Sequence, residues 1–536
     1  MLNVECNFNH TTFNIIPTNY CCMKNRATLI YVLAIIQFIL PFVLVHPYYQ
    51  PHRDEYLYIA EGHHPAWGFM EVPPMLSFLA WISQSIGNSI FFVKFWPALA
   101  GSLTFLLTAK MIVSLGGRTF AIILGWMPFI LTGYIRLFSF FHPNFLDVFF
   151  WTLNAYTIFF YIQTGKNKWL YFFGISVGLG MMSKYSVAFY TISLLIGLAL
   201  SSQRKIFLNK HFYFSGALAL FIMLPNIIWQ YTHLFPVVGH MKELQDEQLQ
   251  FISPVNFLIS QLLMFLPIAF IWITGLMVTS FSREGKPYQV FSWSYMIVII
   301  LLVLLHGKDY YAMGAYPVLF AFGAYSLEKF TALRYKVWRY VFIVFPVALA
   351  VFLYPLLMPV AKPATLAAYY KKWNFAKTGA LRWEDQKDHP LPQDFADMVG
   401  WKETAMKAGK LYQSLPPEEQ KKTMVFCWGY FFAGDLNYHR KEAGLPEVYS
   451  DNASFLFWMP EKYAIKNIIL IGHHIPKKDD TVFQQFAKMT ITDSITDPLF
   501  RENGVKIMFF EKGNDSLNSL IERGVARLKS KYERKR

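Results

Sequence analysis

Long apolar stretches recur along the first 360 residues, and short polar segments separate them. A helix needs about 20 predominantly apolar residues to cross roughly 30 Å of hydrocarbon. The apolar runs that meet or approach this length lie at 28–46, 89–115, 119–136, 146–163, 169–183, 186–203, 211–230, 254–280, 288–305, 311–328 and 339–358. The pattern therefore predicts a polytopic α-helical membrane protein with about eleven spans.

The pattern changes near Lys362, where polar and apolar residues begin to mix. Short β-like runs at 424–428, 467–471 and 506–510 alternate with helical and turn-rich segments, which is typical of an α/β domain. The sequence thus predicts two parts, a membrane domain at 1–360 and a small C-terminal domain at 361–536.

Composition excludes a soluble protein, because 54% of the residues are hydrophobic and only 15% are charged. The net charge of +15 does not indicate nucleic acid as a partner, since the positive residues lie between the apolar runs. The four cysteines have neither zinc-ligand spacing nor the pattern of a disulfide framework.

Lysine and arginine are concentrated in alternate loops, which places those loops in the cytoplasm. The residues of this set include Lys24, Arg26, Arg118, Lys166, Lys168, Arg204, Lys205, Lys210, Arg283, Lys286, Lys329 and Lys336. The N-terminus is therefore predicted to be cytoplasmic. With an odd number of spans, the C-terminal domain is predicted to lie outside.

Acidic residues gather on the predicted outer side, where Asp54, Glu55, Glu71 and Asp147 flank the early spans. Acids influence insertion little, so this asymmetry indicates a function. An isolated Asp-Glu pair is more often a pair of solvated loop charges, and only the surrounding groups change that interpretation.

Basic residues stand at further outer junctions, at Arg136, Lys184 and Lys308. Ionisable groups at a bilayer boundary are costly unless paired or wet, so they are site candidates. The alternative for Arg136 and Lys184 is snorkelling to the interface, and for Lys308 an ion pair with Asp309. The outer loop 231–253 contains two histidines, His233 and His240. Together with an acid they would form a site for a divalent metal, although loop histidines more often bind no metal. No cofactor is predicted with certainty.

Acids and bases at headgroup depth suit a reaction between a lipid phosphate and a hydroxyl acceptor. Basic groups would hold the phosphate as it leaves, and a carboxylate would accept the proton of the acceptor. Phosphate is a good leaving group, so no general acid is required.

At these residues the sequence resembles the dolichyl-phosphate-mannose protein mannosyltransferase superfamily, and within it the bacterial branch that includes the aminoarabinose transferase of lipid A. The resemblance covers most of the membrane region. It rests on an ordered series of motifs: Asp54-Glu55, Glu71 before Pro73-Pro74, Asp147 at the start of the fourth span, Lys184 after a glycine-rich span, and Tyr310-Tyr311 before Pro317.

The resemblance implies a C-type glycosyltransferase fold in a bacterial inner membrane, with a polyprenyl-phosphate-sugar as donor and inversion at the anomeric carbon. It implies a catalytic-base role for Asp54 and further catalytic candidates in Glu55 and Glu71. The implied substrate-binding residues are Asp147, Arg136, Lys184, Lys308, Tyr310 and Tyr311. The lipid A enzymes have a lysine where this chain has Val72. In this chain Lys184, Lys308 or Arg136 must therefore contact the donor phosphate instead.

Three functions are compatible with a polar cavity at the outer face. The first is a glycosyltransferase that acts on an extracytoplasmic glycan, lipid or protein acceptor. The second is a transporter or flippase, although such proteins often contain inverted repeats and none is seen here. The third, an assembly factor of the envelope without catalysis, leaves the cluster from Asp54 to Glu71 unexplained.

Overall fold

The computed structural model describes residues 17–87, 89–247, 249–332, 335–477 and 480–534. Its membrane part is built from helices α1 Pro17–Leu44, α2 Arg53–Glu61, α3 Met75–Ile86, α4 Ile90–Ser114, α5 Thr119–Leu131, α6 Tyr134–Leu137, α7 Pro143–Thr164, α8 Lys168–Met181, α9 Val187–Leu200, α10 Lys210–Thr232, α11 Pro236–Glu247, α12 Pro254–Leu263, α13 Ala269–Phe281, α14 Gln289–Leu304, α15 Tyr316–Phe330 and α16 Trp338–Leu357.

The remainder of the chain adds helices and five strands. The helices are α17 Pro363–Lys372, α18 Gln393–Ala396, α19 Trp401–Gln413, α20 Pro417–Gln420, α21 Tyr430–Tyr438, α22 Arg440–Ala443, α23 Phe455–Trp458 and α24 Leu517–Lys529. The strands are β1 Thr423–Cys427, β2 Val448–Tyr449, β3 Asn467–Gly472, β4 Phe486–Ser494 and β5 Lys506–Gly513.

Helices occupy all the predicted spans, but many are short. Within the described ranges, six helices are long and apolar enough to cross a membrane, or seven if one bent pair counts as a single span. That pair is bent by 60° at a break between Leu263 and Leu266. Pro267, which has no backbone donor, lies in the short 3-10 turn that follows the break and precedes α13. Helices α8 and α9 have 14 residues each, about 21 Å at the usual rise. The predicted number of eleven spans is therefore not confirmed.

The connection between α1 and α4, which the sequence predicts to be an outer loop, contains α2 and α3. Helix α2 begins with a capping box, in which the His52 side chain accepts a hydrogen bond from the backbone N–H of Asp54 at 3.2 Å. The Glu55 carboxylate accepts from the backbone N–H of His52 at 2.8 Å. Such reciprocal bonds satisfy donors that a helix N-terminus leaves free. The second bond also fixes the direction of the Glu55 side chain.

The C-terminal part contains a mixed sheet with the order β2-β1-β3-β5-β4. Strand β1 is parallel to β2 and β3, whereas β5 is antiparallel to β3 and β4. The three predicted β-like runs correspond to β1, β3 and β5, which confirms the α/β character. Strands β2 and β4 were not predicted, because β2 has only two residues and β4 is a largely exposed edge strand.

Helix α2 packs against the C-terminal domain. Tyr56 and Leu57 are buried in one hydrophobic core with Trp401, Val425 and Phe432. A Cβ added to Gly434 would lie 2.8 Å from the Cβ of Tyr56, so glycine permits this approach. The contact brings the acids of the connection between α1 and α4 against the C-terminal domain.

Candidate active site

Asp54 lies at the start of α2 with 34% of its side chain exposed. Its Oδ1 accepts a hydrogen bond from the Tyr430 hydroxyl at 2.7 Å. Tyr430 opens α21, so the C-terminal domain supplies this contact. The partial exposure leaves Asp54 reachable by a substrate.

The surroundings of Asp54 keep it ionised. Burial favours the neutral acid, but the charge of His52, followed by those of His142 and Arg53, holds the pKa of this carboxyl well below its usual range. Burial lowers the pKa of His52, but the hydrogen bond and charge of Asp397, together with the charges of Asp54 and Asp394, outweigh burial and raise that pKa. A carboxylate is therefore present at neutral pH, although a depressed pKa weakens it as a base.

Glu55 points the other way and is fully buried. Its two carboxylate oxygens accept from the Lys94 ammonium at 2.6 and 2.7 Å. One of them also accepts from the backbone N–H of Phe141 at 2.6 Å. The carboxylate also accepts the hydrogen bond from the backbone N–H of His52 described above. It therefore connects α2, α4 and the segment before α7. These contacts indicate a structural role for Glu55. Its catalytic role remains a prediction.

Glu71 is the second predicted acid that the C-terminal domain contacts. Its Oε1 accepts from the backbone N–H of Ser454 at 2.8 Å and its Oε2 from the Ser454 hydroxyl at 2.6 Å. The same hydroxyl oxygen accepts from the backbone N–H of Met70 at 3.0 Å. Burial nevertheless raises the pKa of Glu71.

Asp147, Lys184 and Tyr311 form a second group of predicted residues. The Lys184 ammonium lies 3.6 Å from Asp147 Oδ2 and 4.3 Å from the centre of the Tyr311 ring. It donates to Asn144 Oδ1 at 2.7 Å. Tyr310 packs edge-on against Tyr311 with the ring centres 5.0 Å apart. The structure thus brings these four predicted substrate-binding residues together.

The other two predicted cations are paired with acids of the segment that follows α17. Arg136 lies 3.2 Å from Asp394, and Lys308 lies 3.4 Å from Glu384. Lys308 does not form the alternative pair with its neighbour, because Asp309 instead accepts from the backbone N–H of Tyr310 at 2.8 Å. Both cations therefore contact the C-terminal part of the chain.

One group of side chains has the composition of a metal site. Ligand atoms of His52, Asp54 and His142 all lie within 4.8 Å of one another. Nε2 of His142 is buried and has no hydrogen-bond partner among the described residues, and burial lowers the pKa of His142 to about 4. A neutral imidazole of this kind suits a divalent transition metal. The group differs from the pair His233 and His240 that the sequence offers.

Several residues of the site were not predicted, namely Tyr430, Ser454, Lys94, Asp394 and Glu384. Each lies far along the chain from its partner or in a segment without a recognisable motif. The pairing of Tyr430 with Asp54, for example, spans 376 positions. His142 carried a weak signal, since it stands next to Pro143 at the start of α7.

Comparisons with known proteins agree with this architecture. Residues 71–229 match the family model of dolichyl-phosphate-mannose-protein mannosyltransferases. No curated protein matches the chain.

Two crystal structures of ArnT from Cupriavidus metallidurans are similar in fold. The structure bound to undecaprenyl phosphate is 12% identical, with a TM-score of 0.61, over 92% of this chain and 99% of that one. The apo structure is also 12% identical, with a TM-score of 0.58, over 91% and 98%. The family match over residues 71–229 confirms the resemblance to the dolichyl-phosphate-mannose protein mannosyltransferase superfamily that the sequence motifs predict, and the two structures show that the chain shares its fold with ArnT.

Proposed function

We propose that the chain is an inverting glycosyltransferase that moves a sugar from a polyprenyl-phosphate donor to an extracytoplasmic acceptor. In this proposal residues 1–360 form the membrane domain and residues 361–536 an outer domain. The observation that carries it is the placement of Asp54, partly exposed and ionised, within electrostatic range of Asp394 and Tyr310. Asp394 pairs with Arg136, and Tyr310 packs on Tyr311, the ring that lies under Lys184. The fold shared with ArnT, which has been crystallised with undecaprenyl phosphate, supports this reading.

The reaction needs a base and a phosphate site. The acceptor hydroxyl oxygen attacks the anomeric carbon, the bond from that carbon to the phosphate oxygen breaks, and polyprenyl phosphate leaves with the electron pair. Asp54 takes the hydroxyl proton. Tyr430 must yield its hydrogen bond to Asp54 or share it, so the acceptor enters where Tyr430 now lies.

The phosphate site is formed by Lys184, Lys308 and Arg136. Basic groups fixed at this position stabilise the negative charge that develops on the leaving phosphate. Glu384 and Asp394 neutralise two of these cations without the donor, and we propose that the phosphate displaces both acids. Tyr310 and Tyr311 line the same region and Asp147 orients Lys184.

Lys308→Ala should weaken the binding of undecaprenyl phosphate by about tenfold or more, because the phosphate loses a charge-assisted partner. Titration of the purified protein with this lipid, followed by intrinsic fluorescence or calorimetry, measures the effect. Lys329→Ala is the matched control, since Lys329 also pairs with a single glutamate but lies at the predicted cytoplasmic face. Equal affinity in Lys308→Ala and wild type removes Lys308 from the phosphate site.

Orientation is tested by labelling single cysteines in intact cells, after the four native cysteines are replaced by serine. We expect Lys462→Cys to react with an impermeant reagent from outside, because Lys462 is 86% exposed on the C-terminal domain. Lys166→Cys and Arg283→Cys should react only after the membrane is opened. Gln248, a further outer position by the sequence, lies outside the described residues. Protection of Lys462→Cys in intact cells contradicts the proposed orientation and the outer location of the site.

A transporter or flippase is the second candidate, and the broken pair α12 and α13 is the feature that favours it, since broken helices line the sites of many transporters. Proteoliposomes that contain the protein separate the two functions. Sugar transfer to an acceptor without movement of labelled donor lipid between leaflets supports the enzyme. Movement of lipid without transfer supports the transporter.

A further inference from the structure

Glu384, one of the two acids at the proposed phosphate site, contacts two cations at once. It lies in the connection between α17 and α18. Its Oε1 accepts from the Lys308 ammonium at 3.4 Å, and its Oε2 accepts from the Arg501 guanidinium at 2.8 Å. The carboxylate therefore bridges a cation of the membrane part and a cation of the connection between β4 and β5.

The two contacts of this carboxylate differ in length. Hydrogen bonds between an N–H cation and a carboxylate are usually about 2.7–2.9 Å long. The contact with Arg501 falls in this range, whereas the contact with Lys308 is longer. The Glu384 side chain is 39% exposed, so a ligand can reach it. An anion that approaches Lys308 has to replace only the weaker of the two contacts.

Arg501 is held in place independently of Glu384. Its other terminal nitrogen donates to Asp397 Oδ2 at 2.8 Å, and its backbone N–H donates to the carbonyl of Ala396 at 3.3 Å. Asp397 is buried, and its own backbone carbonyl accepts from the Trp401 indole at 2.7 Å. Arg501 can therefore stay where it is while Glu384 changes its other partner.

The second acid at the proposed phosphate site lacks such an arrangement. Asp394 lies 3.2 Å from Arg136, and in the part of the chain that the structure describes it forms no salt bridge with another lysine or arginine. A partly buried charge that loses its counter-charge is costly. Glu384 avoids that cost, because Arg501 already contacts it.

We propose that Arg501 is a positioning residue of the donor site, which retains Glu384 when the donor phosphate binds Lys308. Without the donor, Glu384 occupies the place of the phosphate and neutralises Lys308. When the phosphate binds, the carboxylate gives up Lys308 and keeps Arg501, and no covalent bond changes. The C-terminal part thereby sets how readily the donor is bound and released. This inference rests on the proposed function, since it concerns the same phosphate site.

The test is a titration of the purified full-length protein in detergent with undecaprenyl phosphate, followed by calorimetry. Glu384→Gln should bind this lipid at least about threefold more tightly, because glutamine keeps the shape of the side chain but no longer competes as an anion. Arg501→Gln should bind it about tenfold more weakly, because the displaced carboxylate then has no counter-charge.

The double variant Arg501→Gln/Glu384→Gln separates positioning from structural support. With the acid neutralised, Arg501 has no displaced charge to retain, so the double variant should bind the lipid at least as tightly as the wild type. A structural defect caused by the loss of Arg501 would persist in the double variant. Arg382→Gln is the matched control, since Arg382 pairs with Asp388 of the same connection and is 54% exposed. It should bind as the wild type does.

Arg501→Lys takes the place of Arg501→Gln if circular dichroism shows that the glutamine variant does not fold. Lysine keeps the charge, but its single nitrogen does not span two acids as the planar guanidinium does. Arg501→Lys should therefore also weaken lipid binding, to a smaller extent, and Glu384→Gln should restore it.

Three results overturn the inference. Glu384→Gln with the affinity of the wild type shows that the acid does not compete with the phosphate. Arg501 variants with the affinity of the wild type show that the guanidinium does not retain the acid. A double variant as weak as the single Arg501 variant shows that Arg501 only supports the fold.

The wild-type titration distinguishes failure of this inference from failure of the proposed function. If the wild type does not bind undecaprenyl phosphate, the proposed donor site is contradicted, and the exchange of Glu384 with it. If the wild type binds the lipid and any of the three results above is obtained, only the role of Arg501 and Glu384 is contradicted.

Discussion

Asp54→Asn should lower the rate of sugar transfer by at least about 10²-fold, since positioned acid-base groups typically contribute about 10²- to 10⁴-fold. Asparagine keeps the size of the side chain and still accepts the hydrogen bond of Tyr430, but it cannot take a proton. Folding, membrane insertion and binding of undecaprenyl phosphate should therefore persist. Initial rates in a reconstituted assay with the lipid-linked donor measure the effect.

Two variants make the result specific. Asp54→Glu moves the carboxylate by about one methylene, and misplacement of about 1 Å can itself cost about 10²-fold. Asp515→Asn removes a fully exposed carboxylate of the C-terminal domain and should leave the rate unchanged. A rate near wild type in Asp54→Asn transfers the role of base to Glu71, which lies against the same domain.

Lys94→Met should destabilise the protein by about 3–5 kcal/mol, the usual effect of removing one partner of a buried ion pair. Glu55 is fully buried, and Lys94 is its counter-charge at 2.6 Å. Methionine fills a similar volume, so the loss is that of the charge. Unfolding by denaturant in detergent, followed by circular dichroism, measures the difference in the free energy of unfolding.

Two further variants check the cause. Lys421→Met removes the lysine of an exposed pair with Glu418, and such pairs contribute only about 0–1 kcal/mol. Glu55→Gln in the Lys94→Met background should recover part of the stability, because it removes the unpaired charge. A Lys94→Met protein as stable as wild type shows that Glu55 is protonated or hydrated in the folded state, which returns it to the candidates for catalysis.

The sequence predicts the helices well, because a bilayer demands long apolar runs that can be recognised without knowledge of the fold. It does not predict α2 and α3, which lie in a connection where polar and apolar residues mix. The signal for α2 was nevertheless present, since Glu55 follows His52 at the spacing of a capping box. Serine, threonine, aspartate and asparagine are the usual first residues of that motif, and histidine is not among them.

The sequence predicts the acids and cations of the candidate site but not the groups that contact them. Lys184 and Asp147 were both identified because ionisable groups at a bilayer boundary are rare. Tyr430 and Ser454 lie in polar surroundings where a tyrosine or serine carries no signal. Only the packing of α2 on the C-terminal domain brings them to Asp54 and Glu71.

The dependence of both acids on the C-terminal domain also sets the moment at which the site is complete. A ribosome makes the chain from its N-terminus, so Asp54 and Glu71 enter the membrane region long before Tyr430 and Ser454 exist. In each nascent chain the contacts of Asp54 and Glu71 are therefore incomplete until the last third of the chain has emerged and folded onto α2. We therefore expect the proposed site to be complete only after the C-terminal domain has folded, and not when the spans insert.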